Sequence, residues 1–104
     1  MAHIIISANA SNNFARIEEF YADSKIALKA ITAIYSSLEL LVTLPLAGRP
    51  VKNREGMRER VIPFGNQGFI ALYKFNQPTD EIVVYSIRHQ REAGYRQNIA
   101  QMDQ

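Results

Sequence analysis

An α+β fold is predicted for this chain: an N-terminal strand, a helical hairpin, then an antiparallel three-stranded meander, forming one sheet packed on the helices. Three observations predict it. Apolar residues recur at steps of three and four between Phe14 and Val42, the period of a helix. Two breaks, Gly65-Asn66-Gln67-Gly68 and Asn76 to Asp80, are short enough to join only antiparallel neighbours. Between and beyond them lie runs of strand length, rich in β-branched and aromatic residues.

Each element has a local reason. His3 to Ala8 is rich in isoleucine and reads as a short buried strand. Ser11, Asn12 and Asn13 are good helix caps ahead of Phe14, Ile17, Phe20 and Tyr21. Asp23 and Ser24 offer a second cap. A longer helix follows, its inner stripe formed by Ala27, Ile31, Ile34, Leu38 and Leu41. Leu28, Tyr35 and Val42 widen that apolar face, and Pro45 stops the helix. Gly48, Pro50, Asn53 and Gly56 mark Leu46 to Met57 as a loop. Three strands remain: Arg58 to Phe64, Phe69 to Phe75, and Glu81 to Arg88.

At 104 residues the chain predicts one domain spanning residues 1–104. Hydrophobic residues make up 47%, which excludes a disordered chain. The absence of cysteine excludes a disulfide framework and thiolate metal sites. His3 and His89 are the only histidines, so no metal site is expected. No signal peptide and no membrane-length apolar window is read, and a cytoplasmic protein is expected. There is no phosphate-binding glycine loop and no nucleophile elbow, so no cofactor is expected.

Charge is unevenly distributed. Residues 1–48 carry Arg16, Lys25 and Lys29 against Glu18, Glu19, Asp23 and Glu39, and residues 49–104 carry a surplus of cations. Arg49, Lys52, Arg54, Arg58 and Arg60 crowd one segment. Such a half suits a polyanion or an acidic protein segment, or is a solvated loop. Arg58 and Arg60, two apart, share one strand face, where they suit a phosphate chain or an acidic helix, or charge an edge against aggregation. Strict alternation puts Ile82, Val84, Ser86 and Arg88 on one face of the last strand and Val83, Tyr85, Ile87 and His89 on the other. Both faces are then apolar toward the middle, which calls for a second cover from the C-terminal tail or from another chain. The strand ends in Arg88-His89-Gln90-Arg91, a polar rim. His89 is a candidate acid or base near neutral pH, or a ring bonded to backbone. Tyr95 is a candidate anchor or proton donor.

Taken together, this element order, Leu44-Pro45-Leu46-Ala47-Gly48-Arg49-Pro50-Val51, Gly68-Phe69-Ile70-Ala71-Leu72-Tyr73 and Ile87-Arg88-His89-Gln90-Arg91-Glu92 resemble the RelE/ParE superfamily, over nearly the whole chain. The resemblance implies a toxin of a bacterial type II toxin–antitoxin module, neutralised by a cognate antitoxin. It implies antitoxin contact at Arg49, Arg58, Arg60, Tyr73 and Tyr85, and target contact at Arg88, His89, Arg91 and Tyr95. The superfamily divides into ParE-like inhibitors of DNA gyrase and RelE-like ribosome-dependent mRNA endoribonucleases. In the nuclease branch His89 would be acid or base, Arg60 and Arg91 would hold phosphate, and Tyr95 would orient the substrate. Phe64 stands where that branch places a strand arginine, and the Gly-Arg-Pro loop and His-x-Arg pattern look more ParE-like.

Overall fold

The computed structural model describes residues 2–90 and contains the expected elements with one addition. They are β1 (His3–Ile6), α1 (Ala8–Phe20), α2 (Ser24–Thr43), β2 (Arg49–Pro50), β3 (Met57–Phe64), β4 (Gln67–Asn76) and β5 (Glu81–His89). The addition is β2, two residues inside the expected loop. One sheet runs in the order β1-β5-β4-β3-β2. Only β1 with β5 is parallel, the pairing that needs a long intervening chain. The first hairpin is tighter than expected: Phe64 pairs with Gln67, and Gly65 supplies the positive φ of 57° that the two-residue turn requires.

Both helices pack on one face. Ile17 of α1 and Ala30, Ile34, Leu38 and Leu41 of α2 form one core with Ile62, Phe69, Ala71, Tyr73, Ile82, Val84 and Ile87. As expected, Asp23 caps α2, its carboxylate accepting from the Lys25 N–H at 2.8 Å. At 20 residues, with an 18-residue stretch of mean hydropathy 1.5, α2 is long and apolar enough to cross a membrane, contrary to the sequence expectation. Its inner stripe is nonetheless spent on the sheet.

The start of α1 departs from expectation. Helix caps at Ser11, Asn12 or Asn13 were expected, yet the helix begins four to six residues earlier. Ser7 is the cap, accepting from the Ala10 N–H at 3.0 Å. This shortens β1 by two residues. Asn13 instead sits mid-helix, buried, and its side-chain oxygen accepts from the Ile87 N–H at 2.9 Å. Ser7 and Asn9 donate side-chain bonds to the Tyr85 carbonyl at 3.1 and 2.9 Å. Where β1 ends, α1 takes over as the partner of β5.

The last strand also breaks alternation. Val84 pairs with Tyr73 and Ser86 with Leu72, so Tyr85 is an extra residue, a bulge. One extra residue exchanges the faces of everything beyond it. Ile87 and His89 therefore join Ile82 and Val84 on the helix face, and Ser86 and Arg88 move to the other. The expected assignment of Ser86, Ile87, Arg88 and His89 to the two faces is corrected accordingly. Ile70 and Leu72, on the far face, are buried within rows flanked by Val61 and Arg88, and by Glu59 and Ser86. The large exposed apolar side chains lie mostly on the helices and the segment after them: Phe20, Ile26, Leu28, Tyr35, Leu40, Leu44 and Leu46.

The Asn13 bond makes a direct prediction. Asn13→Ala leaves a buried backbone donor unpaired, a loss of about 1–3 kcal/mol. Urea unfolding should show a lower midpoint with an unchanged slope, and a substitution at exposed Asn12 should show neither effect.

Candidate functional site

The polar rim at the end of β5 is built by three elements. Phe69 of β4 pairs with His89, and Ile62 of β3 lies beyond it in the same row. α1 brings Phe20 over the imidazole from the helix side. The His89 ring lies 4.6 Å from the Phe20 ring, 5.0 Å from Phe69 and 6.2 Å from Tyr21. Phe64 extends this cluster, 5.8 Å from Phe69 and 6.0 Å from Tyr21. Both imidazole nitrogens are buried and neither makes a hydrogen bond with a described residue. The alternative expectation, a ring bonded to backbone, is therefore not met. Arg88 is buried on the opposite face and reaches around to the His89 carbonyl at 3.1 Å. Arg91 and Tyr95 lie outside the described residues.

The basic segment is organised by one buried phenol. Tyr73 accepts from the Gly48 N–H at 2.8 Å and donates to the Pro45 carbonyl at 2.8 Å. A Cβ on Gly48 would stand 2.6 Å from that hydroxyl and 2.7 Å from the Glu59 carbonyl, so glycine is required by close approach. Arg58, in register with Tyr73, donates to the Leu46 and Gly48 carbonyls at 3.1 and 2.7 Å. Together they clamp the Leu-Pro-Leu-Ala-Gly-Arg-Pro segment to the helix side of the sheet. Beside it, Arg54 and Arg58 help line an open cleft of about 440 Å³ over Pro50, Val51 and Met57.

The expected antitoxin-contact residues therefore separate into two groups. Arg49 is exposed, its Nε 2.6 Å from a Glu59 carboxylate oxygen on the far face, an ion pair worth roughly 0–1 kcal/mol. Arg58, Arg60 and Tyr85 are partly buried. Tyr73 is fully buried with its hydroxyl occupied, and acts from beneath by fixing the segment that carries Arg49. Arg60 and His89 share the helix-side face but not a row: Arg60 aligns through Ala71 with Ile87. Burial leaves the Arg60 Nε without a hydrogen bond to a described residue. The sequence reading missed Arg16 and Phe20, which line a cleft of about 170 Å³ with Asn13, Ile17, Ile87 and His89. Their spacing, with Asn13 and Ile17 at steps of three and four, was the available signal. Among the described residues no group of three or more metal-ligating side chains occurs.

Comparison with known proteins gives one family. The family model described as ParE toxin of type II toxin-antitoxin system, parDE, matches residues 4–94. Among solved structures, the chromosomal ParDE system of P. aeruginosa contains a chain 24% identical, with a TM-score of 0.66 over 84% of this chain and 94% of that one. The intact E. coli RelBE toxin–antitoxin complex contains one 10% identical, TM-score 0.60, covering 84% and 94%. The isolated E. coli RelE toxin is 11% identical, TM-score 0.61, covering 98% and 99%. No match is found among curated protein sequences.

Tyr73 yields a pH prediction. Burial raises its pKa above 10.0, against the opposing pull of the Gly48 hydrogen bond and the Arg58 and Arg60 charges. A raised folded pKa gives stability that is complete below the unfolded value and is lost as pH rises through the folded one. Alkaline unfolding above pH ~10 should therefore be blunted in Tyr73→Phe, which starts from a lower stability by about 1–3 kcal/mol through its two lost hydrogen bonds.

Proposed function

This chain belongs to the family of ParE toxins of type II toxin–antitoxin systems, and we propose that it arrests growth by binding DNA gyrase, not by cutting nucleic acid. The observation that carries this reading is the state of His89. A general acid or base must bring a ring nitrogen within hydrogen-bond reach of the proton it moves. Both His89 nitrogens are buried in an aromatic box of Phe20, Tyr21 and Phe69, and Phe64, where the nuclease branch places a cation, packs behind it against Tyr21 and Phe69. An apolar wall cannot stabilise the charge that develops on a phosphate during transesterification. We place target contact at Arg88, His89, Arg91 and Tyr95, at and beyond the end of β5.

A toxin of this class acts with a cognate antitoxin that neutralises it. We place antitoxin contact at Arg49, Arg58, Arg60 and Tyr85, along the basic edge of the sheet, with Tyr73 supporting that edge from within. Both partners meet the chain in the cytoplasm, and the chain itself brings no cofactor to either contact. The second reading, a ribosome-dependent mRNA endoribonuclease, draws on Arg60 and His89 sharing one sheet face.

A paired assay decides between them. Purified protein should inhibit supercoiling by gyrase, and brief expression should leave mRNA 5′ ends unchanged. Codon-positioned mRNA cuts that vanish in His89→Ala, with supercoiling unaffected, would overturn the gyrase reading.

A further inference from the structure

We infer that the cleft between α1 and the end of β5 seats an acidic side chain of a protein partner, with Arg16 as its countercharge. Four lining residues come from one helix. Asn13, Arg16, Ile17 and Phe20 stand at spacings of three, four and seven, which aligns them on the α1 face turned toward β5. Ile87 and His89, brought to that face by the Tyr85 bulge, supply the opposite wall.

The chemistry of the lining is asymmetric. It holds one guanidinium, three apolar or aromatic side chains, a buried amide and an imidazole, and no acid. Among the described residues Arg16 forms no ion pair and no side-chain hydrogen bond, although Glu18 and Glu19 follow it closely in sequence. Phe20, 61% exposed beside it, leaves most of its ring open to a partner side chain. Asn13 has its oxygen committed to β5, which leaves its NH2 group as a donor. Arginine and aromatic residues, phenylalanine included, are both enriched at protein interfaces relative to the rest of the surface. A carboxylate entering the cleft would meet Arg16 in bidentate geometry while its own methylenes pack on Ile17 and Phe20.

The volume of about 170 Å³ suits one side chain and not a stretch of backbone. A nucleic acid is the other candidate anion, since Phe20 could stack a base. Glu18 and Glu19 oppose it: a polyphosphate backbone running along α1 would meet two carboxylates for one guanidinium. A single acidic residue meets only Arg16. The inference rests on the reading of this rim as a protein-binding surface and names the chemistry it selects.

The test is an NMR titration of the labelled 104-residue chain, with no gyrase present, so its outcome is independent of the supercoiling assay. The probes are N-acetyl-Leu-Glu-amide, N-acetyl-Leu-Gln-amide and a trinucleotide RNA. The glutamate peptide should shift the Phe20 and His89 ring resonances and bind about tenfold more tightly than the glutamine peptide. Arg16→Gln should erase that preference, and Phe20→Ala should weaken both peptides. Both positions are exposed, and unchanged thermal unfolding checks that the fold is intact. Equal binding of the two peptides, tighter binding of the trinucleotide, or a preference that survives Arg16→Gln would each overturn the inference.

Discussion

The geometry of this protein depends on a helix standing in for a strand. β1 pairs with β5 only as far as Val84, yet β5 continues to His89. Beyond Val84 its outer edge would carry unpaired donors and acceptors, and at the buried Ile87 N–H that is a loss comparable to a broken hydrogen bond. Three side chains of one short segment answer that edge. Ser7 and Asn9 donate to the Tyr85 carbonyl, and Asn13 accepts from the Ile87 N–H. The bond at Ile87 lies one residue before the rim, so it fixes where Arg88 and His89 are held. It also fixes α1, and thereby the cleft in which Arg16 and Phe20 face β5.

A second clamp holds the other half. The Tyr73 phenol bridges Gly48 and Pro45, and the Arg58 guanidinium bonds the same segment. The two clamps divide the labour. One positions the rim at the end of β5, and the other positions the basic edge that begins at Arg49. Several charged or polar groups that looked like partner contacts in sequence are thus partly consumed in building the fold, Tyr73 wholly and Arg58 in part. What is left for partners is the exposed remainder, together with the uncovered apolar side chains of α2.

The class of fold and most of its elements were legible because they rest on periodicity and turn chemistry, which are local. Asp23 as a cap, Pro45 as a stop and both hairpins are of that kind. The features that escaped are all decided by tertiary partners. Asn13 is a good cap residue by propensity, but its bond to Ile87 spans most of the chain. The bulge at Tyr85 inserts one residue without any glycine or proline to mark it, so alternation assigned Ser86 and His89 to the wrong faces. The two-residue β2 is set by the Tyr73 clamp and has no strand pattern of its own. Of the site, the rim and its histidine were visible in sequence. Its aromatic box was not, because Phe20 and Phe69 lie far from His89 along the chain.

If the polar side chains of α1 serve as the missing strand, the Ile87 amide should behave as core. Native-state hydrogen exchange reads this residue by residue. The Ile87 N–H should exchange only through global unfolding, with protection matching amides at the centre of β4 such as Ala71. Exchange of Ile87 at the rate of a frayed strand end, with Ala71 still protected, would contradict the account.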